Sequence, residues 1–147
     1  MRKVTWLPTG SQVTALRAMK KIISPLKVVQ SKKKMFILNL NNYRNAHYMT
    51  LNTVKRNYKE AVREQVEQLP EFKKVIIHYE LYPKTRRRTD IGNVTAIHKK
   101  FFEDALVELG RIPDDSFDHV IGSTESFGCV DSTNPRVEIL ITEITDA

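Results

Sequence analysis

The chain has 147 residues, of which 41% are hydrophobic and 28% are charged, as is usual for a single soluble globular domain. No apolar run approaches the roughly 18 residues needed to cross a bilayer, so we expect no membrane association. Arg2 and Lys3 are not followed by a continuous apolar stretch, which argues against a signal peptide and predicts a cytoplasmic protein. A single cysteine, Cys129, excludes an internal disulfide framework.

The net charge of +7 originates in the first quarter of the chain. Residues 1–34 contain nine Lys or Arg and no acid, whereas residues 35–147 contain 15 Lys or Arg and 17 Asp or Glu. The first segment is therefore a basic arm that neutralises phosphates, a poorly ordered extension outside the core, or both. Its apolar spacing from Val13 to Ile23 predicts a short helix, which the following Ser-Pro pair ends. We place the folded domain at residues 35–147.

From residue 35 onward the hydrophobic pattern alternates between strand and helix periodicity. A short apolar run, Met35–Leu40, predicts the first strand of the core. Apolar residues at three- and four-residue spacings predict an amphipathic helix over residues 51–69, which Pro70 closes. The β-rich segment 74–82 predicts a second strand, which ends before Pro83.

A second helical stripe runs from residue 94 to residue 109, and Gly110 is suited to the position just past its end. Two further strands are predicted at residues 117–123 and 136–144, separated by the polar stretch 124–135. The resulting order β-α-β-α-β-β is typical of an α+β domain, with a mixed sheet of about four strands packed on two main helices.

The segment KTRRRTDIGNV, residues 84–94, places a run of cations directly before a carboxylate at the start of the second predicted helix. The cations are Lys84, Arg86, Arg87 and Arg88, and the carboxylate is Asp90. Hydrolysis of a phosphodiester needs an activated water, which carboxylates that hold Mg²⁺ can supply, and neighbouring cations stabilise the developing charge. Taken alone, the segment is a solvated loop, a phosphate-binding patch, or one edge of a metal-dependent nuclease site.

Further carboxylates lie within and after the same helix. Glu103 and Asp104 fall inside it, and Asp114 and Asp115 follow it in a loop. A helix of about 18 residues is roughly 27 Å long, so its two ends cannot share one metal within a single subunit. Either the helix is shorter and the loop folds back beside Asp90, or a site joins acids from two subunits.

Residues 86–115, RRRTDIGNVTAIHKKFFEDALVELGRIPDD, resemble the central motif of the RusA-like Holliday junction resolvases. That family's pattern has basic residues, Asp-x-Asp-Asn, a lysine further along the helix, Asp-Ala-Leu, a glycine and an Asp-Asp pair. The segment NNYRNAHY (41–48) is similar to its N-terminal polar motif, and NPRVEILITE (134–143) to its closing strand. Together the resemblance covers roughly residues 35–145.

The resemblance implies an activity, a cofactor and a partner. RusA-like resolvases are small dimeric endonucleases of phage and prophage origin. We therefore expect a RusA-like homodimer that resolves four-way junctions and other branched DNA in the cytoplasm of a bacterial host, in recombination, repair or phage DNA processing. The expected reaction is Mg²⁺-dependent phosphodiester hydrolysis, with Mn²⁺ able to substitute, and one nick per subunit placed symmetrically across the junction.

The resemblance also assigns site residues one by one. Asp90 matches the family's first acid, and Asn93 matches its asparagine. Asp114 and Asp115 match the terminal pair, so Asp90, Asp114 and Asp115 are the expected metal ligands, and Asp90 and Asp115 are expected to be essential for catalysis. The residues expected to contact DNA share cationic or amide side chains: Lys84, Arg86, Arg87, Arg88, Asn93 and Lys99.

Two positions depart from the family's pattern. Its second acid falls at Gly92, which removes one oxygen ligand, and the lysine expected three residues after the asparagine is Ala96. The interval before Asp-Ala-Leu is four residues longer than usual, close to one helical turn, so we expect Lys100 to take the catalytic lysine's role. Asp104 is the candidate replacement acid. The alternative function is a catalytically weakened or inactive protein that binds branched DNA.

Overall fold

In a computed structural model of the protein, the residues described are 15–16, 19–88 and 90–145. They form seven strands and three helices. In chain order these elements are β1 (Ala15–Leu16), β2 (Lys20–Pro25), β3 (Lys27–Ser31), β4 (Lys34–Ile37), α1 (Leu40–Asn45), α2 (Tyr48–Glu67), β5 (Val75–Tyr82), α3 (Ile91–Glu108), β6 (Val120–Phe127) and β7 (Arg136–Thr145). No helix among these residues is long and apolar enough to cross a membrane.

The main sheet contains five strands, two of which, β1 and β2, occupy the same edge of the sheet. β6 pairs with β5, β5 pairs with β7, and β1 and β2 pair one after the other with β7. β5 and β6 are parallel, whereas β7 is antiparallel to both β5 and β2. Because parallel neighbours need a crossover connection, α3 runs between β5 and β6 and packs on the sheet. The predicted α+β class with a mixed sheet of about four strands is confirmed.

The core lies between this sheet and the two long helices. Alternate residues of β5 from Val75 to Leu81 are at most 2% exposed, because successive strand side chains point to opposite faces. α2 buries Val54, Tyr58, Val62 and Val66, which share one face at four-residue spacing. The sequence-based predictions of α2, β5 and α3 are therefore confirmed, with bounds that shift by a few residues.

The helix predicted between Val13 and Ile23 is wrong where the structure describes the chain. Lys20–Pro25 is strand β2, which pairs along its whole length with β7. Ile22 is 1% exposed and Ser24 is fully buried, so burial alternates with the strand period and not with the helical one. The domain thus includes residues 20–34, which were predicted to lie outside it, while residues 1–14 of the predicted extension lie outside the described residues.

The segment predicted as the first core strand also differs. β4 ends at Ile37 and pairs with β3 in a separate two-stranded hairpin, and α1 begins at Leu40. The Asn39 side chain accepts a 2.8 Å hydrogen bond from the Asn42 backbone N–H and so caps α1. Turn-forming asparagines therefore start a short helix here.

A buried polar network joins β2 to both long helices. The Ser24 hydroxyl lies 2.6 Å from the Tyr58 hydroxyl on α2 and 2.7 Å from Nδ1 of His98 on α3. Burial lowers the pKa of His98 to about 3, so the imidazole stays neutral inside the core. Burial also raises the pKa of the Tyr58 hydroxyl, which therefore keeps its proton. These contacts hold β2 against α2 and α3.

Candidate functional site

The start of α3 lies in a groove that also holds part of the cation run. Asp90 is the N-cap residue, and its Oδ1 accepts a 3.0 Å hydrogen bond from the backbone N–H of Gly92. Arg87, Arg88, Asp90 and Asn93 line this groove, whose volume is about 500 Å³. We call it the site groove. Four of the residues expected from the sequence to bind metal or DNA are therefore together.

A second carboxylate borders Gly92, the position at which the RusA-like pattern has its second acid. A Cβ atom placed on Gly92 would lie 3.5 Å from Oδ1 of Asp90 and 3.7 Å from Oε2 of Glu125 on β6. The hydroxyl of Thr95, one helical turn further along α3, donates a hydrogen bond to Oε1 of Glu125. Two carboxylates therefore flank one small space beside the start of α3, and they come from different elements.

The neighbours of Glu125 hold it on the α3 side of the sheet. In β5, His78 contacts the hydroxyls of Thr124 and Ser126 through Nδ1 (2.6 Å) and Nε2 (2.8 Å). Because side chains alternate along a strand, Thr124 and Ser126 point away from the face that carries Glu125. Burial lowers the pKa of His78, although the charge of Glu80 opposes that shift, so the neutral ring can donate to one hydroxyl and accept from the other.

Further along α3, Glu103 is a buried carboxylate with a defined partner. Its Oε2 lies 2.6 Å from Nζ of Lys99 and 3.5 Å from the Tyr79 hydroxyl. Burial raises the pKa of Glu103, the hydrogen bond to Lys99 opposes this shift, and the charge of Asp115 adds to it. Lys99, which was expected to contact DNA, is thus paired within the chain, on the helix face that also carries Thr95.

Asp104 and Lys100 lie on a different side of α3. Oδ2 of Asp104 forms a 3.1 Å ion pair with Lys55 of α2. Asp104 is also 14 positions after Asp90 in the sequence, or about 21 Å of helical rise. The structure therefore does not bring Asp104 to Asp90, where it was expected to replace the missing acid. Lys100 is exposed and lies one turn before Asp104 on the same face.

Asp114 and Asp115 are exposed in the loop that follows α3. The Ser116 backbone N–H donates a 2.8 Å hydrogen bond to Oδ1 of Asp114, and the contacts with Ser116 lower the pKa of that carboxyl. The same loop is joined to the start of β5 by a 2.8 Å backbone bond between Val75 and His119, whereas Asp90 follows the end of β5.

The length of α3 bears on one of the two arrangements that the sequence left open. The helix has 18 residues and so extends roughly 27 Å. The shorter helix that would let the loop fold back beside Asp90 is therefore not observed. Among the described residues of one chain, no group of three or more His, Cys, Asp or Glu side chains is arranged to hold a metal ion.

The cations that were predicted to contact DNA lie just before α3. Lys84, Arg86, Arg87 and Arg88 are all exposed in the segment between β5 and α3.

Glu125 and Thr95 were not predicted as site residues, because Glu125 falls in the polar stretch 124–135 that was assigned to a loop. β6 in fact continues to Phe127, and the β-prone residues Thr124 and Phe127 were the available signal.

A comparison with models of known protein families finds no match to this chain. No curated protein matches it either.

Proposed function

We propose that the protein is a Mg²⁺-dependent, structure-specific endodeoxyribonuclease of the RusA-like type, which resolves Holliday junctions and other branched DNA by paired symmetric nicks. One observation carries the proposal. The carboxylates of Asp90 and Glu125 flank the position that Gly92 leaves without a side chain. Arg87 and Arg88 line the same groove as Asp90, as expected for a site that receives a phosphodiester.

The donor atoms at this position suit the proposed metal. Mg²⁺ prefers carboxylate and carbonyl oxygens and keeps several waters when the protein supplies few ligands. Asp90 and Glu125 would hold it, and Asn93 lines the same groove as Asp90. Bound there, Mg²⁺ would supply a water of lowered pKa and neutralise charge on the phosphate oxygens. Mn²⁺ accepts the same ligands and is expected to substitute.

The chain's own residues would divide the remaining tasks. Thr95 hydrogen-bonds Oε1 of Glu125, and Oε2 is the atom nearer to Gly92, so Thr95 orients the carboxylate. Arg87 and Arg88 would contact backbone phosphates, which positions the DNA without reading its sequence. Glu125 then takes the role of the family's missing acid in place of Asp104, whose carboxylate pairs with Lys55.

A homodimer would account for the Asp114–Asp115 pair. Since α3 is roughly 27 Å long and runs between Asp90 and the loop that carries this pair, we infer that a site containing both would take the pair from a second subunit. A two-fold dimer also suits a four-way junction, which offers two equivalent strands. We therefore propose that each site combines Asp90 and Glu125 of one subunit with Asp115 of its partner.

The second candidate function is branched-DNA binding without cleavage, which the missing carboxylate at Gly92 favours. The two functions are separated by incubating the protein with a labelled four-way junction in Mg²⁺, Mn²⁺ or EDTA. Paired nicks that require metal and disappear in Asp90→Asn support the nuclease. Tight junction binding with no nicks in either metal supports the second candidate. Equal binding of the junction and linear duplex would overturn both.

A further inference from the structure

A second, larger groove adjoins the site groove. It has a volume of about 800 Å³ and lies between the β3–β4 hairpin, α2 and the loop before β7. Leu26 and Ile37 line both grooves, so the two grooves adjoin, and together we call them the channel. This channel leads from Asp90, past the base of the hairpin, to the outer face of β4.

The floor of the channel is apolar. Met35 is 43% exposed and Ile37 is 55% exposed, and both side chains lie on the outer face of β4. Val29, which pairs with Met35 across the hairpin, continues that face and is 49% exposed. The opposite face of the hairpin carries Val28 and Phe36, which are buried in the core. The outer apolar face is therefore not part of the domain's own packing.

The borders of the channel are cationic. Lys27 and Lys84 line it, Lys32 and Lys33 form the hairpin turn, and Lys34 begins β4. Residues 27–37 contain four lysines and no acid, and the first acid of the chain is Glu60. Within the described part of the chain, none of these four hairpin lysines has a carboxylate partner within 4.0 Å. Their charge is therefore available to an anionic partner.

An apolar floor between cationic borders matches the chemistry of a single nucleic-acid strand. Unpaired bases offer apolar faces that pack against apolar side chains, while the phosphates of the same strand contact lysines. A closed duplex hides its base faces and can use only the cations. Resting on the proposed function, we propose that this channel binds an unpaired DNA strand that extends from the scissile phosphate, with its bases on Leu26, Met35 and Ile37 and its phosphates on Lys27 and Lys84.

The test compares binding of a splayed-arm DNA, which has an unpaired strand, with binding of a linear duplex of the same sequence. Fluorescence anisotropy in EDTA measures both affinities without cleavage. The double variant Met35→Thr/Ile37→Thr removes the apolar floor and keeps residues that suit a strand. It should weaken binding of the splayed-arm DNA about tenfold or more and leave duplex binding nearly unchanged, since only unpaired bases lose apolar contacts.

The matched control is Ile121→Thr, because Ile121 is an exposed strand residue with a similar exposure, 46%, and does not line the channel. It should bind both DNAs as the wild type does. A second variant, Lys27→Gln/Lys84→Gln, should weaken binding of the splayed-arm DNA and reduce the dependence of that binding on salt.

Three results would overturn the proposal: equal binding of both DNAs by the wild type, an unchanged preference in both channel variants, or equally tight binding of single-stranded RNA. Because these affinities are measured without metal, they do not depend on cleavage. Failure to cleave a junction would therefore count against the proposed nuclease, whereas the binding of an unpaired strand would still be decided by the affinities measured in EDTA.

Discussion

The Thr95 hydroxyl on α3 donates a hydrogen bond to the Glu125 carboxylate on β6, and so joins the N-terminal part of the helix to the neighbouring strand. Without this bond, Glu125 would be one more acid on an exposed strand. With it, a carboxylate oxygen of Glu125 lies beside Gly92, on the same side as Asp90. This relationship makes the candidate site testable by substitutions that change charge and leave shape nearly constant.

Asp90→Asn separates the role of Asp90 as the N-cap of α3 from its proposed role as a metal ligand. Asparagine caps helices about as well as aspartate, so we expect the free energy of unfolding to change by less than about 0.5 kcal/mol. Cleavage of a four-way junction should nevertheless fall at least about 100-fold, because the amide carries no charge for the metal. Asp90→Ala should lose both the activity and about 1 kcal/mol of stability. Urea unfolding and a cleavage assay measure the two effects, and full activity in Asp90→Asn would reduce Asp90 to a helix cap.

Glu125→Gln removes the charge of Glu125 and retains an oxygen that can accept the Thr95 hydrogen bond. We expect binding of Mn²⁺, measured by titration calorimetry, to weaken at least about tenfold, since a neutral amide is a poorer ligand than a carboxylate. The control is Glu64→Gln, because Glu64 is an exposed acid of α2. Equal Mn²⁺ affinity in the two variants would exclude Glu125 as a ligand.

Gly92→Asp introduces the second acid of the RusA-like pattern next to two existing carboxylates. The new Cβ meets its nearest neighbours at 3.5 and 3.7 Å, which is ordinary contact, so the backbone there accepts a side chain. Without metal, repulsion between the three acids should lower the melting temperature relative to Gly92→Ala, which itself should stabilise the helix by up to about 1 kcal/mol. Added Mn²⁺ should raise the melting temperature of Gly92→Asp more than that of Gly92→Ala. The same Mn²⁺-dependent shift in both variants would show that no metal binds beside residue 92.

A mixed dimer tests whether acids from two subunits form one site. Asp90→Asn and Asp115→Asn homodimers should each be inactive. In a heterodimer of the two, one site would combine the intact Asp90 of one subunit with the intact Asp115 of the other. Differently tagged subunits, co-expressed and purified as the heterodimer, should therefore nick one strand of a junction without producing paired cuts. A heterodimer with no nicking activity would place both acids of a site in the same subunit.

His98 makes stability depend on pH. Its pKa is about 3 in the folded chain and 6.5 in its ordinary state. Stabilisation by the neutral, buried ring is therefore fully present above pH 6.5 and is lost as the pH falls towards 3. Between pH 6.5 and 5 the loss should be about 2 kcal/mol. Urea unfolding at the two pH values should show this extra loss in the wild type and not in His98→Gln; identical losses would mean that His98 does not contribute.

The local hydrophobic pattern was enough to predict an element where that element buries one regular face. The four-residue spacing of Val54, Tyr58, Val62 and Val66 identified α2, and alternation identified β5. Gly110 was assigned to the position past the end of α3 and has a φ of 76°, in the region where glycine is favoured.

Local pattern failed where the deciding partner is distant in the sequence. Ile22 fits either a helix or a strand, and only its pairing with Ile139 makes it a strand residue. The polar residues on either side of Glu125 resemble a loop until His78 supplies partners for Thr124 and Ser126. The part of the site that follows from the cation run and Asp90 was predictable, whereas the contribution of Glu125 depends on which strands become neighbours.

The pairing of β2 with β7 also has a consequence for the order in which the molecule can be completed during synthesis. Residues 20–25 leave the ribosome early, but their partners in the sheet are residues 136–141. Until those residues emerge, β2 has no strand to pair with, and Ser24 remains tethered close to a tract rich in lysine. The nascent chain must therefore keep this segment from pairing elsewhere, and its cations, which repel one another and resist edge-to-edge association, are well suited to that task.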